Sequence, residues 1–146
     1  MNHLFIIVVI GLLGGIAIGL QAPLASMINQ RLGVLESVFV VHLGGLIAVS
    51  VPLIILGGGK LGLWQSVPWY ALGAGFLGVI VVGATVFMVP RIGVAGAITL
   101  ITMGQLLIAA TIDHFGALEV SVSPISVERL LGLGIVLLGV WQTLRS

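Results

Sequence analysis

Charge is so sparse in this chain that it acts as punctuation. Five Lys/Arg and four Asp/Glu residues are spread over 146 positions, and the apolar runs between them approach the ~20 residues that an α-helix needs to cross a bilayer. Five such segments follow one another, at about 4–28, 37–56, 68–89, 94–112 and 127–144. Soluble domains carry about 25% charged residues, whereas 6% of this chain is charged and 60% is hydrophobic. A water-soluble domain of this length buries only about 68–70% of its unfolded surface, and so few charges cannot cover the remainder. Lipid is therefore the main solvent. The expectation is an all-α integral membrane protein, one membrane domain over 1–146 with five transmembrane helices. The opening apolar stretch has no Lys/Arg n-region, and Pro23 to Ala25 is a poor cleavage site, so it reads as a retained first helix.

The same scarcity removes several functions. A net charge of +1 leaves no Lys/Arg patch to neutralise phosphates, which excludes nucleic acid as a partner. With no cysteine there is no disulfide, thiolate metal site or cysteine nucleophile. HExxH, GxSxG and paired catalytic acids are missing, so no enzyme activity, cofactor or metal is expected. Gly73 to Gly78 spells GxGxxG, but a dinucleotide fingerprint needs a preceding strand, and here both flanks are apolar helix.

Turn chemistry places the joints. Gly57, Gly58, Gly59 and Lys60 form a flexible turn, and Trp64, Trp69 and Tyr70 suit the headgroup region. Pro68 opens the third segment. Pro90 and Arg91 are expected to close it, with Gly93 so near that the third and fourth segments form a tight antiparallel hairpin. The longest polar loop is 116–124. Ser123 or Ser126 caps the last segment, Glu128 lies in its first turn, and Arg129 and Arg145 are expected to snorkel outwards. Small residues recur at helical spacing, as at Gly11, Gly15 and Gly19, and let membrane helices pack closely. No internal repeat stands out.

Five crossings sort the positive charges onto two sides: Lys60 and Arg129 on one, Arg31, Arg91 and Arg145 on the other. Positive charge normally fixes topology, and this near balance permits insertion in both orientations as well as a single one. An odd number of crossings also lets two copies reproduce, as an antiparallel pair, the inverted repeat of many transporters.

Polar side chains inside spans are costly and mark candidate functional positions. Gln21 and Asn29 share a face of the first segment around Pro23, which frees a carbonyl near Gln21. In the fourth segment Thr99, Thr102, Gln105, Ala109 and Asp113 form one stripe, which should face the bundle interior or a cavity. Asp113 with His114 ends that segment, where the pair suits a proton relay, a cation site or simple termination at the interface. His42 and Ser50 share a face of the second segment; His42 suits coupling or an interhelical hydrogen bond. Arg91 suits an anionic substrate or a headgroup anchor.

Gln21 followed by Asn29, then Pro68-Trp69, Pro90-Arg91-Ile92-Gly93, Gly104-Gln105 and Asp113-His114-Phe115-Gly116, in this order and spacing, give a chain that resembles the small YdcZ-type proteins of the drug/metabolite transporter superfamily over nearly its whole length. The resemblance implies a five-helix half-transporter completed by a second copy or a related chain, and it leaves the substrate open. Gln21, Asn29, Arg91, Gln105, Asp113 and His114 occupy its motif positions. His42 departs from the pattern, which has an aromatic residue in that part of the second helix. The first segment also lacks the central acid that marks the small multidrug resistance proteins.

Together these readings predict a secondary transporter in the bacterial plasma (inner) membrane. It moves a small polar or charged metabolite by alternating access as an antiparallel dimer. Gln21, Asn29, His42, Thr102 and Gln105 line the path, and Asp113, His114 and Arg91 serve coupling or gating. A dual-topology small-ion channel and a non-transporting membrane scaffold are the alternatives.

Overall fold

In lipid a backbone polar group can be satisfied only by its own helix or by protein around it, so even runs rich in β-branched residues become helical. Residues 34–55 are rich in valine and isoleucine yet form one continuous helix. The computed structural model describes residues 2–145. All its regular elements are helical: α1 (Asn2–Leu32), α2 (Val34–Ile55), a 3-10 turn at Leu61–Ser66, α3 (Trp69–Leu72), α4 (Ala74–Phe115) and α5 (Val127–Arg145). Four helical stretches are long and apolar enough to cross a membrane: His3–Leu32, Val34–Ile55, Trp69–Phe115 and Val127–Arg145.

The third of these stretches has 47 residues, about 70 Å at 1.5 Å per residue against a hydrocarbon core of ~30 Å. Its length therefore serves two crossings. The break between them is Gly93, whose φ of 75° and ψ of 170° leave the helical region. This corrects the expectation that Pro90 and Arg91 end the helix. Pro90 lies inside α4, and the chain stays helical until the one residue type that adopts such angles without strain.

The same device joins α1 to α2. α1 runs past Ile28 to Leu32, and Gly33 takes φ 116° and ψ 168° before α2 begins. Around both breaks the sequence repeats: Arg31, Leu32, Gly33, Val34 return as Arg91, Ile92, Gly93, Val94, and Gly44 returns in register as Gly104. Ser37 and Ala97, which also correspond in that register, are both completely buried. The chain thus contains a short internal repeat that composition hides and backbone geometry exposes.

The described residues fall into two compact units that meet between Phe87 and Met88. In the first, α1 and α2 pack as an antiparallel pair, with the Ser37 hydroxyl donating to the Ala25 carbonyl at 2.7 Å. The beginning of α4 lies against both. In the second unit the end of α4 packs antiparallel to α5: a Cβ on Gly96 would meet Leu144 at 3.4 Å, and Asp113 meets Arg129. The buried apolar residues are small, namely Ala22, Ala25, Val38, Val86, Ala97, Ala110 and Val140. Small side chains let helix backbones approach where no hydrophobic effect drives them together. Large ones such as Phe5, Leu35, Trp69 and Phe76 are exposed, the reverse of a water-soluble fold.

Candidate functional site

Polar residues gather in two places, one in each unit. In the first unit the organising feature is one orphaned carbonyl, that of Val86. Pro90 has no N–H, so the carbonyl four residues earlier, that of Val86, loses its helical donor. Asn29 supplies the replacement: its Nδ2 donates to the Val86 oxygen at 2.9 Å. One turn before Asn29, Ser26 is buried and accepts a 3.5 Å hydrogen bond from Gln30. Asn29 thus spends one amide hydrogen on docking α1 to α4, a bond that does not involve its Oδ1.

His42 is half-buried on α2, with Nδ1 2.8 Å from the Val38 carbonyl. A carbonyl only accepts, so Nδ1 carries the proton and donates, and in the neutral ring Nε2 keeps its lone pair. That nitrogen points at α4, where a Cβ added to Gly78 would lie 3.1 Å away. Gly78 closes the GxGxxG string, and its purpose here is room for an imidazole. Ser50 bonds back to Leu46 at 2.7 Å and lends His42 no partner.

In the second unit Asp113 and His114 hold the loop that leads to α5. The Asp113 carboxylate meets the Arg129 guanidinium at 2.5 Å, with 27% and 40% of the two side chains exposed. Arg129 also reaches Ser123 at 3.5 Å. Arg129, expected to snorkel outwards, thus has a carboxylate partner across the helix pair. Arg145 lies over the Trp141 ring at 3.8 Å, a cation–π contact. His114 Nδ1 accepts from the Ile125 N–H at 3.2 Å. Ser126, not Ser123, caps α5, taking the Arg129 N–H at 3.2 Å.

The remaining sequence-selected residues lie on α1 and along α4. Gln21 is exposed on α1, and Arg91 is exposed just before the Gly93 break. Along the polar stripe of α4, Thr102 and Gln105 are exposed, Thr99 is half-buried and bonds to Ala95 at 2.6 Å, and Asp113 is half-buried. The described fold therefore leaves the centre of the stripe uncovered. Ser37 and Arg129 were not singled out as site residues in the sequence. For Arg129 the signal was present, since a cation in the first turn opposes the helix dipole and implies a partner elsewhere.

A family model described as "Putative inner membrane exporter, YdcZ" matches residues 6–142. The chain belongs to the YdcZ family. This YdcZ-family protein is accordingly a multi-pass protein of the inner membrane and of transporter type. No curated protein and no solved structure matches the chain. Among the described residues there is no group of three or more His, Asp or Glu side chains placed to hold a metal ion.

Proposed function

We propose that this YdcZ-family chain exports a small polar or charged metabolite by alternating access, working as an antiparallel homodimer. The observation that carries the reading is the exposure of Thr102 and Gln105 in the middle of an otherwise apolar membrane stretch. A primary amide facing lipid tails has no hydrogen-bonding partner, and that cost is avoided when the face lines a polar path. A second copy of the chain completes that path. The odd number of crossings and the near balance of positive charge favour the inverted arrangement of the two copies.

Gln21, Thr102 and Gln105 supply exposed polar groups to the path. Asn29 and His42 contribute Oδ1 and Nε2, the atoms their docking bonds leave over. Asp113, His114 and Arg91 act at the ends of α4 segments as gating or coupling groups. The lipid bilayer, a second copy and the solute are the partners.

The test is flux in proteoliposomes across a panel of charged and neutral metabolites, comparing the wild type with Gln105→Ala. Saturable flux that falls in the variant is expected. If no solute moves under any ion gradient, the proposal fails. Unsaturable currents far above carrier turnover mark a channel instead. Orientation is read in the same vesicles by labelling single cysteines at Leu35 and Ser121, both exposed in loops or at a helix start. Dual insertion requires that each be labelled from both sides.

A further inference from the structure

The segment between α4 and α5 is strapped to the last turn of α4 by two adjacent residues. The Ser123 N–H donates to the Asp113 carbonyl at 2.7 Å, and the Ile125 N–H donates to His114 Nδ1 at 3.2 Å. Arg129, at the start of α5, clamps the Asp113 carboxylate and reaches the Ser123 hydroxyl. Between these anchors the chain is bent tightly. Gly116 has φ 63°, and two residues that are not glycine, Leu118 and Glu119, are held at φ 58° and φ 64°. Left-handed backbone at such residues is unfavourable and persists only where the surroundings hold it. The strap holds it here, together with the turn bonds from the Ala117 N–H to the Ile112 carbonyl and from the Val120 N–H to the Ala117 carbonyl.

One anchor is chemically conditional. An N–H can donate to Nδ1 only while that nitrogen bears a lone pair, so the strapped state requires a neutral His114 with its proton on Nε2. A second proton binds at Nδ1 itself, the atom that receives the Ile125 N–H. Proton and strap therefore compete for one lone pair. We infer that protonation of His114 unfastens the Ile125 end of the loop, making residues 116–126 a pH-responsive flap at the end of α4. The charged groups on the last turn of α4, in the loop and on the first turn of α5 are Asp113, Glu119, Glu128 and Arg129, while Arg91 lies beside the Gly93 break of α4 and Arg145 at the far end of α5. Arg129 is engaged by Asp113, so the carboxylate nearest in sequence to His114 is already partnered. The Phe115 ring stands edge-on to the imidazole at 4.8 Å and provides no substitute acceptor. The sign follows: the flap is fastened while His114 is neutral and loosens once it is protonated, so acid is the loosening direction.

The inference stands on this geometry alone, and it rests on the proposed export function only for its effect on flux. Hydrogen exchange at the Ile125 amide, corrected for intrinsic pH dependence, is measured for the full chain in nanodiscs between about pH 8 and about pH 5. Wild-type protection is expected to drop by about twofold to tenfold at the acidic end, the factor for losing one hydrogen bond. His114→Gln and His114→Ala are expected to exchange with no pH step, the first because its acceptor does not titrate and the second because it has none. A wild type without the step, or a variant that keeps it, overturns the inference. Flux recorded in parallel separates the two ideas, since a pH step in exchange with no transport of any solute retains the flap and removes the exporter reading.

Discussion

Asn29 on α1 donates its side-chain amide to the one carbonyl of α4, that of Val86, which Pro90 deprives of a helical partner. A proline that would leave an orphan acceptor inside a membrane helix becomes the docking point for another helix. Asn29→Ala is expected to destabilise the protein by about 0.6 kcal/mol and by no more than about 1.7, the range for interhelical hydrogen bonds in membranes. In a Pro90→Ala background the restored N–H serves Val86, and the cost of Asn29→Ala should largely vanish. A double-mutant cycle on unfolding in detergent reads the coupling.

The two broken glycines respond alike for the same backbone reason. Gly33→Ala and Gly93→Ala each place a Cβ on a backbone with positive φ and extended ψ, at a cost of ~1–3 kcal/mol. A Cβ at Gly33 would also meet the Glu36 carboxylate at 2.5 Å, but that is the far end of an exposed, flexible side chain that can swing aside, so it adds little to the backbone cost. Gly11→Ala is the control: it lies in ordinary helix with nothing within 4 Å and should cost nothing. Thermal unfolding followed by circular dichroism distinguishes the three.

How much of this was legible beforehand depends on the range of the interaction. Hydropathy located the membrane helices because each needs only its own residues to declare itself. The end of α1 was missed by a few residues, since Asn29, Gln30 and Arg31 look like loop until Gly33 is seen to carry the turn. Pro90 reads locally as a terminator because its remedy, Asn29, is far away in the chain. Arg129 reads locally as a snorkelling cation, and nothing local reveals that its partner is Asp113. The polar stripe from Thr99 to Asp113 was visible from its period, but what covers Thr102 and Gln105 is not written in one chain's helix pattern.

Gly78 makes room for His42, so bulk at that position should push the ring away. Gly78→Ala needs a shift of a few tenths of an ångström and is expected to be mild, whereas Gly78→Leu should cost about 1–3 kcal/mol by overpacking. Adding His42→Ala to Gly78→Leu should return part of that loss. Unfolding midpoints of the two single variants and the double variant provide the check.

The Asp113–Arg129 pair is partly exposed, and such pairs contribute about 0–1 kcal/mol. Asp113→Asn should therefore leave the melting temperature nearly unchanged while lowering export, because the proposed gate depends on the charge. Equal flux in the variant and the wild type would remove Asp113 from the gate.

Ser126 caps α5 through the Arg129 N–H, and Ser126→Ala is expected to cost about 1 kcal/mol, with faster amide exchange confined to the first turn of α5. Ser123→Ala, which removes only a long contact to Arg129, should cost less.

The recurrence of Arg-(Leu/Ile)-Gly-Val at Gly33 and Gly93 divides the labour among the helices. Two segments built around the same elbow contribute an even number of crossings and would by themselves return the chain to the face it started from. α5 sets the parity. In the proposed antiparallel pairing the crossing of α5 makes the count odd, so a protein cut before Val127 is expected to keep both elbows and to lose that pairing.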